Sequence, residues 1–286
     1  MKVLLALAVL TTSAVSMASD RAIYDIMYLP DAGTTFGIST FEKLSGDIET
    51  DAGDTERNGM FLSQTLGHSI SDRLSLAASL GYGKLETDPQ PGANIEEKGL
   101  TDPTISARFR TMDETFRWDV IGGAVLGLSD HETEDNGDSD LYQGGHSLLI
   151  GTQVGTKTES FQWAILGQLT HNLEATNKVD GFLNSDVESE TNNELLIRGD
   201  ILNKLAEKTF LRSFLSTNFS EGINANDGDE LKAARTTYAL GTEVQQLFSE
   251  DLLLRAGIDY EMAQYNSAVV DSDKNLIFRL AANYQF

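Results

Sequence analysis

Between Phe116 and Leu128 every second residue is apolar or glycine, from Phe116, Trp118 and Val120 through Gly122 and Ala124 to Leu126 and Leu128. Successive side chains of a strand point to opposite sides of a sheet, so strict alternation of this length predicts a strand with two unlike faces. The same period recurs along the chain. It is carried by Met60, Leu62, Leu66 and Ile70, by Leu74, Leu76, Ala78, Leu80 and Tyr82, and by Ile105, Ala107 and Phe109. Further on come Leu148, Ile150 and Val154; Phe161, Trp163, Ile165 and Leu169; and Leu195, Ile197 and Ile201. Leu211, Leu215 and Phe219, then Tyr238, Leu240 and Val244, then Leu252, Leu254, Ile258 and Tyr260 follow before a strand that runs to the final residue. With a less regular first segment over about residues 34–44, the pattern predicts twelve strands. Each is about the 9 to 11 residues that a tilted strand needs to cross a bilayer.

The connections fall into two kinds. After even-numbered strands they are tight and polar ("SISDR", "TMDET", "TKTES", "LAEKT", "FSEDL"), whereas after odd-numbered strands they read as long and acidic, as in "SGDIETDAGDTERNG", "ETDPQPGANIEEKG" and "SDHETEDNGDSDLYQGG". Short turns on one side and long loops on the other is the layout of an outer-membrane barrel. The expected fold is therefore all-β, a transmembrane antiparallel β-barrel of 12 strands with short periplasmic turns and long acidic extracellular loops. An even strand number puts both termini on the turn side.

Residues 1–18 read as a secretory signal peptide: Lys2, an apolar run too short to span a bilayer, then Ser16, Met17 and Ala18 before a cut ahead of Ser19. The barrel is expected over 34–286. Residues 19–33 lie between as a periplasmic or luminal segment, too apolar for a simple tail; plugging the lumen and resting at its mouth both remain open. The last strand carries Phe278, Leu280, Tyr284 and Phe286 on one face, and this aromatic C-terminal pattern resembles the signal by which the assembly machinery recognises its barrels.

A formal net charge of -23 argues against nucleic acid as a partner. The partners expected are outer-membrane lipid and lipopolysaccharide, the barrel assembly machinery and a small-molecule solute. The phase opposite to the apolar one collects Arg108, Arg110, Arg117, Asp119, Arg198, Asp200, Glu243, Arg255, Asp259, Glu261 and Arg279. Facing a lumen, these charges either form a selective constriction or pair into a network that stiffens a closed barrel. A symmetric "TMDE" turn would set Phe109 opposite Trp118 on the lipid side and Arg108 opposite Asp119 on the luminal side.

Glu134, Asp135, Asp138 and Asp140 offer oxygen ligands to a hard cation, but their spacing does not match the calcium-loop pattern of helical hands and a solvated loop is the first reading of them. No cofactor is expected. Nor is an enzyme: His68 and His146 are each followed by a serine that points to the other face, and neither pair makes a nucleophile and base.

Residues 99–128, "GLTDPTISARFRTMDETFRWDVIGGAVLGL", resemble the outer-membrane family associated with the meta-pathway of phenol degradation. Gly99, Leu100, Asp102, Pro103, Thr104, Arg108, Phe109, Arg110 and Asp113 match its pattern, and Thr101 stands where that family usually has a second glycine. The resemblance implies a monomeric or weakly oligomeric barrel that takes up small solutes, aromatic or hydrophobic ones included. The functional expectation is thus an outer-membrane channel or transporter with a narrow charged lumen. The alternative is a closed structural or surface-interaction barrel whose acidic loops bind cations or partners.

Overall fold

The computed structural model describes residues 22–50, 53–89, 94–128, 131–133, 139–141, 145–158, 160–179, 185–224, 230–266 and 270–286. Twelve antiparallel strands form the wall. They are β1 (Thr35–Thr50), β2 (Gly53–Ser71), β3 (Leu74–Pro89), β4 (Ile95–Leu100 continued by Thr104–Asp113), β5 (Phe116–Val125) and β6 (Ser147–Lys157). The others are β7 (Phe161–Asn172), β8 (Asn192–Ala206), β9 (Thr209–Ser220), β10 (Arg235–Ser249), β11 (Leu252–Tyr265) and β12 (Val270–Gln285). Each pairs with the next, and β12 returns to β1 with Phe36 opposite Gln285 and Leu44 opposite Ile277, so the sheet is a closed barrel. Closure leaves no edge whose backbone groups would go unpaired in lipid.

The alternation sorts the two faces. Leu62, Leu66, Leu76, Ile105, Phe109, Trp118, Ile150, Ile165, Leu215, Leu240 and Leu280 are exposed on the outside, while Arg110, Asp119, Gln153, Asp200 and Arg212 are buried within. An apolar exterior around a polar interior inverts a soluble protein and suits a bilayer. No helix among the described residues is long and apolar enough to cross a membrane, which says nothing about strands. At the seam Phe286 N–H donates to Thr35 O at 2.9 Å, and its ring meets that of Tyr284 edge-on, with 5.3 Å between centroids.

Two expectations are corrected. The β4–β5 hairpin is not symmetric about "TMDE": a register shift between Arg110 and Met112 sets Arg110 opposite Asp119, Phe109 opposite Val120 and Met112 opposite Trp118. One extra residue on β4 changes partners but not faces, so Phe109 and Trp118 still point outward. The first two "long acidic loops" are largely strand as well, since β1 and β2 run to Thr50 and from Gly53, and β3 and β4 to Pro89 and from Ile95. The hairpins project beyond the apolar band, where the outer face is wet and acidic residues are tolerated while the inner face still buries Arg57, Leu85 and Glu97.

The "GLTDPT" motif is a bulge in the wall. Tyr82 pairs with Leu100 and Ser79 with Thr104, so residues 101–103 oppose only Leu80 and Gly81. Gly99 takes φ 134°, a backbone that side-chain-bearing residues rarely adopt. Thr101 Oγ1 accepts from Gly81 N at 3.0 Å, Asp102 Oδ1 from Leu128 N at 3.0 Å and Pro103 O from Leu126 N at 2.9 Å. These bonds satisfy the backbone where regular pairing stops.

Candidate functional site

The lumen is layered from its turn end to its loop end. At the turn end residues 22–34 fold into it: Ile23, Ile26, Met27 and Tyr28 pack with Phe36, Ile38, Ala164, Leu202, Phe210 and Leu253, all of them inward-facing wall residues. Tyr24 stacks on Phe210 with centroids 3.9 Å apart. A Cβ on Gly155 would lie 2.8 Å from Met27 Sδ, so the wall is thinned where the segment passes.

Polar contacts anchor the segment. Asp25 accepts from Lys157 Nζ at 2.7 Å and Gln162 Nε2 at 2.6 Å, with Arg117 3.7 Å away. Gln162 Oε1 accepts from Ile26 N at 3.0 Å, and Arg110 Nη2 donates to Met27 O at 2.6 Å. Burial pushes the Asp25 carboxyl above its usual range, while Lys157, Gln162 and Arg117 hold it down. Burying Ile23, Ile26, Met27 and Leu29 gains about 1.5–3 kcal/mol each. Ordering the backbone of residues 22–30 costs about 1–2 kcal/mol each, a sum of similar size, so the polar anchors decide whether the segment stays.

Above the segment the charges form two clusters on opposite parts of the wall. On β4–β6, Asp119 accepts from Arg108 Nε at 2.7 Å and Arg110 Nε at 2.8 Å, Arg108 also donates to Gln153 Oε1 at 2.7 Å, and Asp113 lies 3.3 Å from Arg117. On β8–β12 and β1, Asp200 bridges Arg198 at 3.0 Å and Arg212 at 2.8 Å, and Glu243 lies 3.6 Å from Arg212 and 3.5 Å from Arg255. Arg279 joins Glu42 and Asp259, each at 2.5 Å. Arg198 also lies 3.8 Å over the Phe214 ring. Glu261 faces the lumen opposite Asn275.

Every luminal residue singled out from the alternation therefore faces inward. Arg212, Glu42 and Gln153 were overlooked although they share that phase. Arg57, whose Nη1 donates to Asp273 at 2.6 Å, lay in what read as a loop. Glu134, Asp135 and Asp138 and the side chain of Asp140 lie outside the described residues, as does the signal-peptide segment. Among the described residues no group of three or more His, Asp or Glu side chains is placed to hold a metal. His68 shares a hydrogen bond with Thr35 Oγ1 and His171 one with Asn193 Oδ1.

No protein-family model matches the chain, and no curated protein matches it. Among solved structures it is similar to an outer membrane channel from Pseudomonas putida F1, at 14% identity over 90% of this chain and 97% of that one, with a TM-score of 0.72. The fold is that of an outer-membrane β-barrel. It is also similar to the transport unit of the autotransporter AIDA-I from Escherichia coli, at 10% identity over 88% of this chain and 90% of that one, with a TM-score of 0.55. The translocator domain of autotransporter NalP from Neisseria meningitidis follows at 13% identity, 90% of each chain and 0.53. At these identities the likeness is one of architecture.

Proposed function

We propose that the protein is an outer-membrane channel for small solutes, aromatic or hydrophobic ones among them, that pass a narrow charged lumen once residues 22–34 leave its periplasmic end. The observation that carries this reading is the nature of the closure. The turn end is filled by a segment outside the sheet, held by a few polar anchors, and the twelve-stranded wall closes without it. Support also comes from the likeness to a Pseudomonas putida protein described as an outer membrane channel, and from the resemblance of residues 99–128 to the phenol meta-pathway family. Localisation in the outer membrane, after removal of residues 1–18, belongs to the same reading. The arginines and acids of the two clusters would set charge selectivity.

The test is single-channel conductance of the refolded mature protein in planar bilayers, with and without residues 20–30. Deletion should raise conductance severalfold. A folded deletion variant as silent as the parent would leave the second reading, a closed barrel, for which the mutual pairing of Arg198, Arg212, Asp200 and Glu243 speaks.

A further inference from the structure

At the loop end the inner wall changes chemistry. β12, β1, β2 and β3 turn Ile277, Leu44, Phe61 and Leu85 inward as one apolar cluster, and Leu141, from the connection between β5 and β6, is buried among them. Phe61 lies flat along the wall because Gly59 and Gly83 flank it: a Cβ on Gly59 would come within 2.9 Å of its ring, and one on Gly83 would overlap it. An apolar surface inside a charged lumen is built for something apolar, and in this structure Leu141 fills the place.

The surroundings of the cluster say what else that something carries. Among the described residues three buried acceptor atoms beside it have no donor: Glu42 Oε2, Glu97 Oε2 and Asn275 Oδ1. Glu42 stands opposite Phe61 across β1 and β2, Glu97 opposite Leu85 across β3 and β4, and Asn275 precedes Ile277 by two residues on the same face. The partner oxygens are engaged, Glu42 Oε1 by Arg279 Nε at 2.5 Å and Glu97 Oε1 by Ser139 Oγ at 3.5 Å. The nearby guanidinium groups are matched by acids, Arg57 by Asp273 at 2.6 Å and Arg279 by Glu42 and Asp259. Buried acceptors in want of donors, with cations already neutralised, favour a hydrogen-bond donor and disfavour an anion.

We propose that this cluster is a binding site for a small apolar solute whose head group donates hydrogen bonds, an amine or an alcohol, and that Leu141 holds the place of its apolar body. The site names a substrate class for the channel proposed above and rests on that reading for its use, but binding itself can be measured without transport. Glu97 would receive the head group, and Phe61, Leu85 and Ile277 the body.

The experiment is calorimetric titration of the full mature protein, folded in detergent, with benzylamine, benzyl alcohol and benzoate, which share a ring and differ in the head. Benzylamine and benzyl alcohol should compete for one site, and benzoate should bind at least about tenfold more weakly, a difference of about 1.4 kcal/mol. Glu97→Gln should weaken benzylamine about tenfold, in line with loss of a charge-assisted bond. Leu141→Ala should tighten both donors by vacating the place, and Leu215→Ala on the outer face should change neither. Benzoate binding as well as benzylamine, or titrations untouched by Glu97→Gln and Leu141→Ala, would overturn the proposal. If Glu97→Gln does not fold, the three-solute series and Leu141→Ala decide alone. Liposome flux separates the two readings: flux without this binding pattern removes the site and keeps the channel, and binding without flux does the reverse.

Discussion

The two charged clusters of the lumen are built from the same residue types and differ in what they hold. On β4–β6, Arg110 spends one edge of its guanidinium on Asp119 and another on Met27 O, and Arg117 faces both Asp113 and Asp25. On β8–β12 the arginines meet, among the described residues, wall residues: Arg198 and Arg212 share Asp200, and Arg212 and Arg255 share Glu243. One cluster thus joins the wall to the N-terminal segment, and the other joins strand to strand. Identical chemistry does two jobs because the polar groups that anchor Asp25 and Met27 come from β4–β7, on one side of the barrel.

The largest effect that would break this contrast is removal of the central acid from each cluster. Asp200→Ala leaves Arg198 and Arg212 buried without their shared partner, which should cost about 3–5 kcal/mol of stability. It should show as a lower unfolding midpoint in denaturant with the open probability of the parent. Asp119→Ala should destabilise by a similar amount and, in addition, raise the open fraction, because Arg110 loses the carboxylate that aims it at Met27 O. Equal open probability in the two variants would end the division of labour.

Next in size is Arg110→Lys, which keeps the charge and loses the fork that reaches Asp119 and Met27 O together. Loss of one charge-assisted bond to the segment should raise the open probability about tenfold. The matching change in the other cluster, Arg212→Lys, should leave open probability at the parental value. Single-channel records of the two variants under one buffer decide between these outcomes.

How far the sequence foretold this arrangement depends on where period two survives. Within the bilayer a strand has one face in lipid and one in the lumen, so Phe109, Trp118 and Ile165 separate cleanly from Arg108, Asp119 and Asp200. Beyond the bilayer the outer face is wet and the inner face carries polar residues such as Arg57, so the apolar–polar alternation fades and strand such as Gly53–Ser71 begins in text that reads as loop. A bulge inserts one residue without changing composition, so the pairing of Arg110 with Asp119 could not be inferred from a symmetric turn. Leu141 stands beside Tyr142 in an otherwise acidic and polar connection, and only the fold brings it to Leu44, Phe61, Leu85 and Ile277. Asp25 was legible as part of a segment too apolar to be a tail, but its partners Lys157 and Gln162 lie more than a hundred residues away. The "GLTDPT" motif proves to be wall geometry, which is why it speaks for architecture and leaves the solute to the luminal residues.

The smallest effect expected is a pH dependence confined to the cluster that holds the segment. Burial raises the Asp25 carboxyl above its ordinary range, against Lys157, Gln162 and Arg117, whereas a released segment would return it to about 3.9. The held form therefore takes up its proton first as pH falls, and linkage makes acid favour holding. Retention should strengthen as pH drops through the raised pKa and level off below the ordinary one. Open probability should fall over that window in the parent and stay flat in Asp25→Asn, while Asp200→Asn, outside the segment's reach, should keep the parental slope. A slope that survives Asp25→Asn would move the sensor elsewhere and remove Asp25 from the argument.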